Sequence, residues 1–329
     1  MTSMLNARYW NICYYVGRHG LKFSIDNLSE NSPINISRIA FYALVFTIIF
    51  LSISVASILV LLSKASAVAC AFWRTFLSAI ILWFMKLLLN RSWIGLRDYK
   101  VLSLIVLSGV FLAAHFLFWM ESLFLVPVAV STTIVVSYPL FSLVVDKIIY
   151  NERIYRIQYI GLIMGFIGIA LFMEPRLIDG YSIYGVILAL LGAVAATGYF
   201  SIGRRVRKIV DLLEYTTIAY SSAAITLLIY SLISGANLIH YGLNSYVYFF
   251  LLAIIPMLGG HTLLNYVLKY IKTSSATSIA LGEPVGASIL AYIFLGQIIT
   301  TIQIFLIILV LSSIILVLYP DIRNVTEEK

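Results

Sequence analysis

Long apolar runs of about 20 residues constrain the fold of this chain more than any other feature. Residues 101–124 contain one charged side chain, Glu121, and residues 301–319 contain none. A helix needs about 20 residues to cross roughly 30 Å of hydrocarbon. Because the runs are continuously apolar rather than alternating, they predict transmembrane helices and not the strands of a β-barrel.

The overall composition excludes a soluble globule. Of 329 residues, 62% are hydrophobic and 11% are charged, and the mean hydropathy is +1.01. A soluble domain is usually about half apolar and about a quarter charged, because water must wet its surface. The predicted fold class is therefore an all-α integral membrane protein.

The apolar runs divide the chain into ten predicted spans, numbered here from the N-terminus. Spans 3 and 4 are the least clearly divided, since only the short segment Leu125-Val126-Pro127 indicates a turn between them. The predicted ranges are 39–62, 66–88, 101–124, 128–149, 157–173, 184–202, 215–234, 247–270, 275–295 and 301–319.

The basic residues predict how these spans are oriented. If the N-terminus lies inside, 19 of the 22 lysine and arginine residues fall on the inner side, Lys64 and Arg176 fall outside, and Arg74 lies within span 2. Inner loops of membrane proteins carry such an excess of basic residues. Both termini are therefore predicted to be cytoplasmic, in a protein of the cell membrane. Since this distribution also accounts for the net charge of +8, we expect the lipid bilayer and no nucleic acid as a partner.

The chain contains an internal repeat with a period of five spans. A shift of 145 residues places Pro139 on Pro284 and Gln158 on Gln303, and one residue of slip places His115 on His261. An odd number of spans per repeat inverts the second copy, as in many secondary transporters. The predicted organisation is a cytoplasmic tail, two inverted five-helix repeats and a second cytoplasmic tail, over residues 1–38, 39–173, 184–319 and 320–329.

Several segments have the character of motifs: Gly282-Glu283-Pro284, Asn151-Glu152-Arg153-Ile154, Phe72-Trp73-Arg74, Gly192–Arg205 and Leu264–Lys269. Together they resemble the EamA-type drug/metabolite transporter superfamily over about residues 39–319. Three positions depart from the family's pattern. Span 1 lacks the usual Trp-Gly, Tyr138 replaces a glutamate before the proline, and Gln297 replaces an acidic residue. The resemblance implies a ten-helix carrier for amino acids, metabolites or drug-like solutes.

Two charged residues are predicted near the middle of the bilayer. Arg74 and Glu283 each lie about nine residues into a span, which is about 13 Å deep at about 1.5 Å per residue. A charge at this depth costs several kcal/mol, so it indicates a functional residue with a partner. Arg74 is a candidate anchor for a substrate carboxylate, and Glu283 is a candidate group for an amine or a proton. A purely structural pair remains the alternative.

Other polar residues at mid-depth complete the candidate site, which we expect between the two repeats. His115 and His261 are candidates for proton transfer, or else neutral imidazoles that donate to a neighbouring helix. Tyr138 and Asn265 are candidate substrate contacts, with core packing as the alternative for Tyr138. Pro139 and Pro284 are candidate hinges, or else simple structural kinks. Asp146 lies near a span end, where it reaches water, and receives no predicted role.

The sequence favours a carrier over the other functions that ten spans allow. No His-Glu-x-x-His motif, phosphate-binding loop or filter-like loop is present, which argues against an intramembrane enzyme, an ATP-driven pump and a channel. Cys13 and Cys70 form neither a disulfide framework nor a metal motif, so no metal or other cofactor is expected. We expect a small-molecule substrate, and a homodimer is left open.

Overall fold

The computed structural model describes residues 36–89, 98–126, 128–172, 182–295 and 301–327, and every regular element in them is helical. Most of the predicted N-terminal tail therefore lies outside the described residues. The α-helices are α1 Ile36–Ser54, α2 Ala56–Leu62, α3 Ala67–Leu88, α4 Tyr99–Leu125, α5 Val128–Val135, α6 Tyr138–Ile148, α7 Arg156–Phe172, α8 Ile183–Val206, α9 Leu212–Ser234, α10 Leu243–Leu252, α11 Leu263–Val267, α12 Thr273–Thr277, α13 Glu283–Leu295 and α14 Thr301–Glu327.

Eight helices in the described part of the chain are long and apolar enough to cross a membrane. They match predicted spans 1–4, 6–8 and 10, and they indicate a multi-pass membrane protein. Predicted span 5 corresponds to α7, which has only 17 residues. Predicted span 9 is divided between α12, a 3₁₀ helix at Ser278–Gly282, and α13. The last helix, α14, continues to Glu327 through residues that the sequence assigned to a tail.

Spans 4 and 9 are both interrupted just before a proline. Pro139 and Pro284 are each the second residue of a helix, in α6 and α13. Proline lacks a backbone N–H, and a helix tolerates this in its first turn, where that group has no helical partner. Each proline therefore begins a helix after a break instead of bending the middle of one, and the hinge roles remain a prediction.

Span 8 contains a different irregularity. A π-helix over Ala253–Thr262 joins α10 to α11 and includes Pro256. Such wider turns are rare and occur frequently at functional sites. Gly260 lets this segment approach span 1 closely, because an added Cβ would lie 2.8 Å from Cγ2 of Ile53.

The long helices are held in place by extensive helix–helix packing. Helix α4 packs against α8 and α9, α3 packs against α9, and α7 packs against α14. At the α7–α14 contact, a Cβ added to Gly161 would lie 2.8 Å from Cγ2 of Val317. Small residues such as Gly161, Gly165 and Gly168 allow this close approach within one chain. Large apolar side chains such as Phe84 and Leu232 are exposed on the outside of the helices, as on a surface that faces lipid.

Candidate functional site

A closed cavity lies among the irregular helices. Its volume is about 20 Å³, room for about one water molecule, and it receives side chains from both halves of the chain. Every one of these side chains is buried, so the cavity is shut off from both ends of the molecule in this conformation. The lining residues are Ile53, Ala56, Arg74, His115, Trp119, Val135, Tyr138, Pro256, His261, Leu264 and Glu283.

Arg74 is the most unusual of these residues. Its exposed fraction is 1%, and none of its three guanidinium nitrogens has a hydrogen-bond partner among the described residues. The guanidinium carbon lies 3.9 Å from the centre of the Phe116 ring. This cation–π contact stabilises one face of the group by up to about 2 kcal/mol when it is desolvated. The N–H groups remain available to a ligand.

Glu283 is the acidic residue of the same cavity. It is the first residue of α13, its exposed fraction is 9%, and its Oε1 atom has no hydrogen-bond partner in the described structure. Glu283 and Arg74 line the cavity together, but no ion pair within 4.0 Å joins them across the part of the chain that is described. The two groups therefore face one small cavity without a direct ion pair between them.

The two histidines meet in this cavity, with their ring centres 6.1 Å apart. His115 Nδ1 lies 2.9 Å from the carbonyl oxygen of Gly192, which fits a neutral imidazole that donates to α8. The His261 ring stacks on Phe200 at 5.6 Å, and its Nδ1 atom has no partner in the described residues. The geometry thus gives His115 a structural hydrogen bond and leaves one ring nitrogen of His261 free to bind a ligand.

Tyr138 lines the cavity and Asn265 does not. Tyr138 stacks on Phe200, with ring centres 5.7 Å apart. Asn265 lies behind the cavity, where its amide donates to the Tyr199 hydroxyl at 2.6 Å and to the His261 carbonyl at 2.7 Å. Asn265 therefore does not face the cavity in this conformation, because equal depth in the bilayer does not mean an equal orientation around the helix axis, and its role as a substrate contact remains a prediction. Its position supports the π-helix that carries His261.

The sequence analysis missed several residues of the cavity. Phe116 was not predicted as the partner of Arg74, since nothing local relates a phenylalanine in α4 to an arginine in α3. Ile53 and Ala56 of the first span also line the cavity, although the site was expected in later spans. His115 and Trp119 are one helical turn apart and their rings stack with an angle of 7° between the planes. Residues four apart are neighbours on a helix surface, so this spacing relates Trp119 to His115 from the sequence alone.

Comparison with known proteins places this architecture in a family. Two segments, residues 37–173 and 183–319, each match the EamA-like transporter family, and together they cover most of the chain. The chain belongs to the EamA-like transporter family. The two-repeat organisation predicted from the sequence is a property of this family, and the family resemblance is confirmed.

Two relatives of this EamA protein are named as transporters. It is 22% identical over 173 residues to the uncharacterized transporter YdfC of Bacillus subtilis, a match that covers 53% of this chain and 56% of that protein. It is 30% identical over 98 residues to an uncharacterized transporter of Archaeoglobus fulgidus, over 30% of this chain and 33% of that protein. The matches thus span about half and one third of the length of these relatives.

A protein of known crystal structure has the same fold. The two superpose with a TM-score of 0.69 at 16% sequence identity, over 84% of this chain and 97% of the other. Within the described residues, no group of three or more histidine, cysteine, aspartate or glutamate side chains is placed to hold a metal ion.

Proposed function

We propose that this EamA-family protein is a secondary transporter that moves a small organic solute with an anionic group across the cell membrane by alternating access. The observation that carries the proposal is the closed cavity between the two repeats, where Arg74 is buried without a hydrogen-bond partner. A buried charge without a partner costs several kcal/mol in the empty protein. A carboxylate or a similar anion compensates that charge when it binds.

The proposal includes a binding mode. The anionic group of the solute accepts hydrogen bonds from the Arg74 guanidinium, which favours planar, bidentate anions. Phe116 holds the guanidinium from one face. Glu283 accepts a hydrogen bond from an amine or hydroxyl group of the solute, or carries a proton. Solutes of this kind include amino acids and other small metabolites.

The proposal also includes the topology. We propose ten crossings with both termini in the cytoplasm, so that α7 and the broken segment α12–α13 cross together with the eight longer helices. The basic loops support this orientation, because they alternate with the spans as the positive-inside rule requires. The repeats then run through residues 39–173 and 184–319 in opposite directions, and the cavity lies between them.

Transport by reconstituted vesicles tests this function. Proteoliposomes with the wild-type protein, proteoliposomes with Arg74→Gln and empty liposomes are incubated in a deproteinated cell extract. Mass spectrometry then identifies the solutes that each vesicle has taken up. We expect the wild type to enrich one or a few anionic solutes and Arg74→Gln to enrich none. Enrichment of solutes without an anionic group, or equal uptake by Arg74→Gln, would contradict the proposed site.

The same vesicles separate a transporter from an intramembrane enzyme or a channel. An enzyme converts a solute without accumulating it, so the extract gains a product of changed mass. A channel allows sustained ion current across a planar bilayer. A carrier gives neither result.

A further inference from the structure

A cluster of charged and polar residues, all buried except Glu152, closes one end of the molecule and has no role in the site described above. It consists of side chains from α6, α7, α8 and α14 and from the two loops that follow α6 and α11. With the proposed topology, all of them lie at the cytoplasmic end. We call this set the inner cluster: Asp146, Glu152, Gln158, Arg204, Lys272 and Asp321.

Asp146 is the centre of the inner cluster. Its exposed fraction is 0%, although its place near a span end suggested contact with water. One of its carboxylate oxygens accepts a hydrogen bond from Arg204 Nη1 at 3.0 Å. The backbone N–H groups of Thr273 and Ser274, in the first turn of α12, donate to the same carboxylate at 3.3 and 2.7 Å. Asp146 therefore joins span 4 of the first repeat to spans 6 and 9 of the second.

The other members of the inner cluster also connect the two repeats. Arg204 donates to Glu152 at 2.6 Å, and Gln158 donates to the hydroxyl of Ser275 at 2.9 Å. Lys272 binds Asp321 at 2.7 Å and donates to Gln158 at 3.2 Å. Both broken spans are thus tied to this cluster, span 4 through α6 and span 9 through α12.

The opposite end of the molecule is closed by neutral groups. The indole N–H of Trp73 donates to the Leu238 carbonyl at 2.7 Å, and the hydroxyls of Ser66 and Tyr241 lie 3.0 Å apart. Ser245 donates to the Ser63 carbonyl at 2.8 Å. These contacts also join the two repeats, so the cavity lies between a charged closure on the inner side and a neutral closure on the outer side.

We infer that Asp146 and Arg204, together with the first turn of α12, form the inner gate, the contact that separates when the cavity opens to the cytoplasm. The inference rests on the proposed transport function. Tyr138, Ser142 and Asp146 are spaced four residues apart on α6, so they share one helix face that leads from the cavity to the gate. The 3₁₀ helix at Ser278–Gly282 joins the gate to Glu283 in the cavity. Movement of α12 away from Asp146 is thereby transmitted to the carboxylate that faces the solute.

Accessibility of residue 142 tests this gate. Ser142 is fully buried, and its hydroxyl has no hydrogen-bond partner in the described structure, so Ser142→Cys is a mild change. The reporter is placed in a background that carries Cys13→Ser and Cys70→Ala. Inside-out membrane vesicles are treated with a membrane-impermeant maleimide, and the rate of labelling is measured with and without Asp146→Asn.

We expect Asp146→Asn to label at least about tenfold faster than its parent, which corresponds to about 1.4 kcal/mol of lost preference for the closed state. Glu214→Gln is the matched control. Glu214 is also a fully buried carboxylate at the inner end and lies 3.7 Å from Lys86, but it belongs to the α3–α9 contact away from the gate. We expect this control to leave the labelling rate unchanged.

An unchanged rate in monodisperse Asp146→Asn protein would overturn the inference, and so would an equal increase in Glu214→Gln. If Asp146→Asn does not fold, Arg204→Gln replaces it. This variant removes the ion pair between Arg204 and Asp146 but keeps the hydrogen bonds between Asp146 and α12, so it is expected to give a smaller increase. If neither variant folds, the cluster is a requirement for folding and the inference is wrong. The labelling needs no solute, so its failure is distinct from a failure of the transport experiment.

Discussion

The unpartnered guanidinium of Arg74 leads to an unusual expectation: its removal stabilises the empty protein. In Arg74→Met, an apolar side chain of similar length replaces a charge that is 1% exposed and has no hydrogen-bond partner among the described residues. The wild-type residue carries a desolvation penalty of several kcal/mol. The contact with Phe116 offsets about 2 kcal/mol of this penalty. We therefore expect Arg74→Met to gain about 1 kcal/mol or more in its free energy of unfolding.

Arg204→Met is the matched control, since Arg204 is an equally buried arginine with two acidic partners. Removal of one partner from a buried ion pair destabilises a protein by about 3–5 kcal/mol. The same substitution is thus expected to have opposite effects at the two sites. Thermal unfolding of the detergent-purified proteins, followed by tryptophan fluorescence, measures both. A change of about 1 kcal/mol shifts Tm by about 1–2 °C in a chain of this size.

The double variant Arg74→Met with Glu283→Gln extends this measurement to the acidic residue. Because both groups line one cavity, we expect their effects on Tm to be non-additive. A loss of stability in Arg74→Met as large as that in Arg204→Met would refute the reasoning, since it would show that Arg74 has a structural partner. Strictly additive effects in the double variant would show that Arg74 and Glu283 do not interact.

Three further expectations follow from the same structure. Glu283→Gln should reduce solute uptake by reconstituted vesicles far more than it reduces Tm, and normal uptake would show that the carboxylate is incidental. Gly165→Ala should lower stability by about 1–3 kcal/mol through overpacking, because the added methyl would lie 2.8 Å from Leu281 Cδ1, whereas Gly242→Ala meets no atom within 4 Å and should be neutral in the same unfolding assay. In a cysteine-free background on intact cells, an impermeant maleimide should label a cysteine at the exposed position 240 and not one at the exposed position 208, and the reverse would contradict the proposed topology.

Hydropathy predicted the positions of the helices well, because a continuous apolar run leaves the chain few alternatives to a helix. Residues 66–88 were predicted for span 2, and α3 covers Ala67–Leu88. The break in span 9 was not predicted. It lies between the polar run from Thr273 to Ser278, whose hydroxyl side chains are all buried, and Pro284. A window of about 20 residues averages such a run with its apolar neighbours.

Depth along a span predicted the cavity but not the orientation of each side chain. Arg74, His115, His261 and Glu283 do meet, because a costly charge or imidazole at mid-depth requires a polar interior. Asn265 lies at a similar depth but points behind the cavity, towards Tyr199.

The burial of Asp146 was not predicted from the sequence. A residue near a span end was assumed to reach water, whereas the tertiary structure covers it with α8 and α12. Nothing in the local sequence of α6 relates Asp146 to Arg204 or to the start of α12.

In the proposed transport cycle, one closed cavity opens alternately to the two sides of the membrane. Ala56 lines this cavity and is buried, so Ala56→Cys in the cysteine-free background places a small thiol inside it. An impermeant maleimide is applied to right-side-out vesicles in one experiment and to inside-out vesicles in another, while ion current is recorded from the same protein in a planar bilayer. The account predicts labelling from each side, slower labelling when the transported solute is present, and no sustained current. Labelling from only one side, or a sustained current, would contradict it.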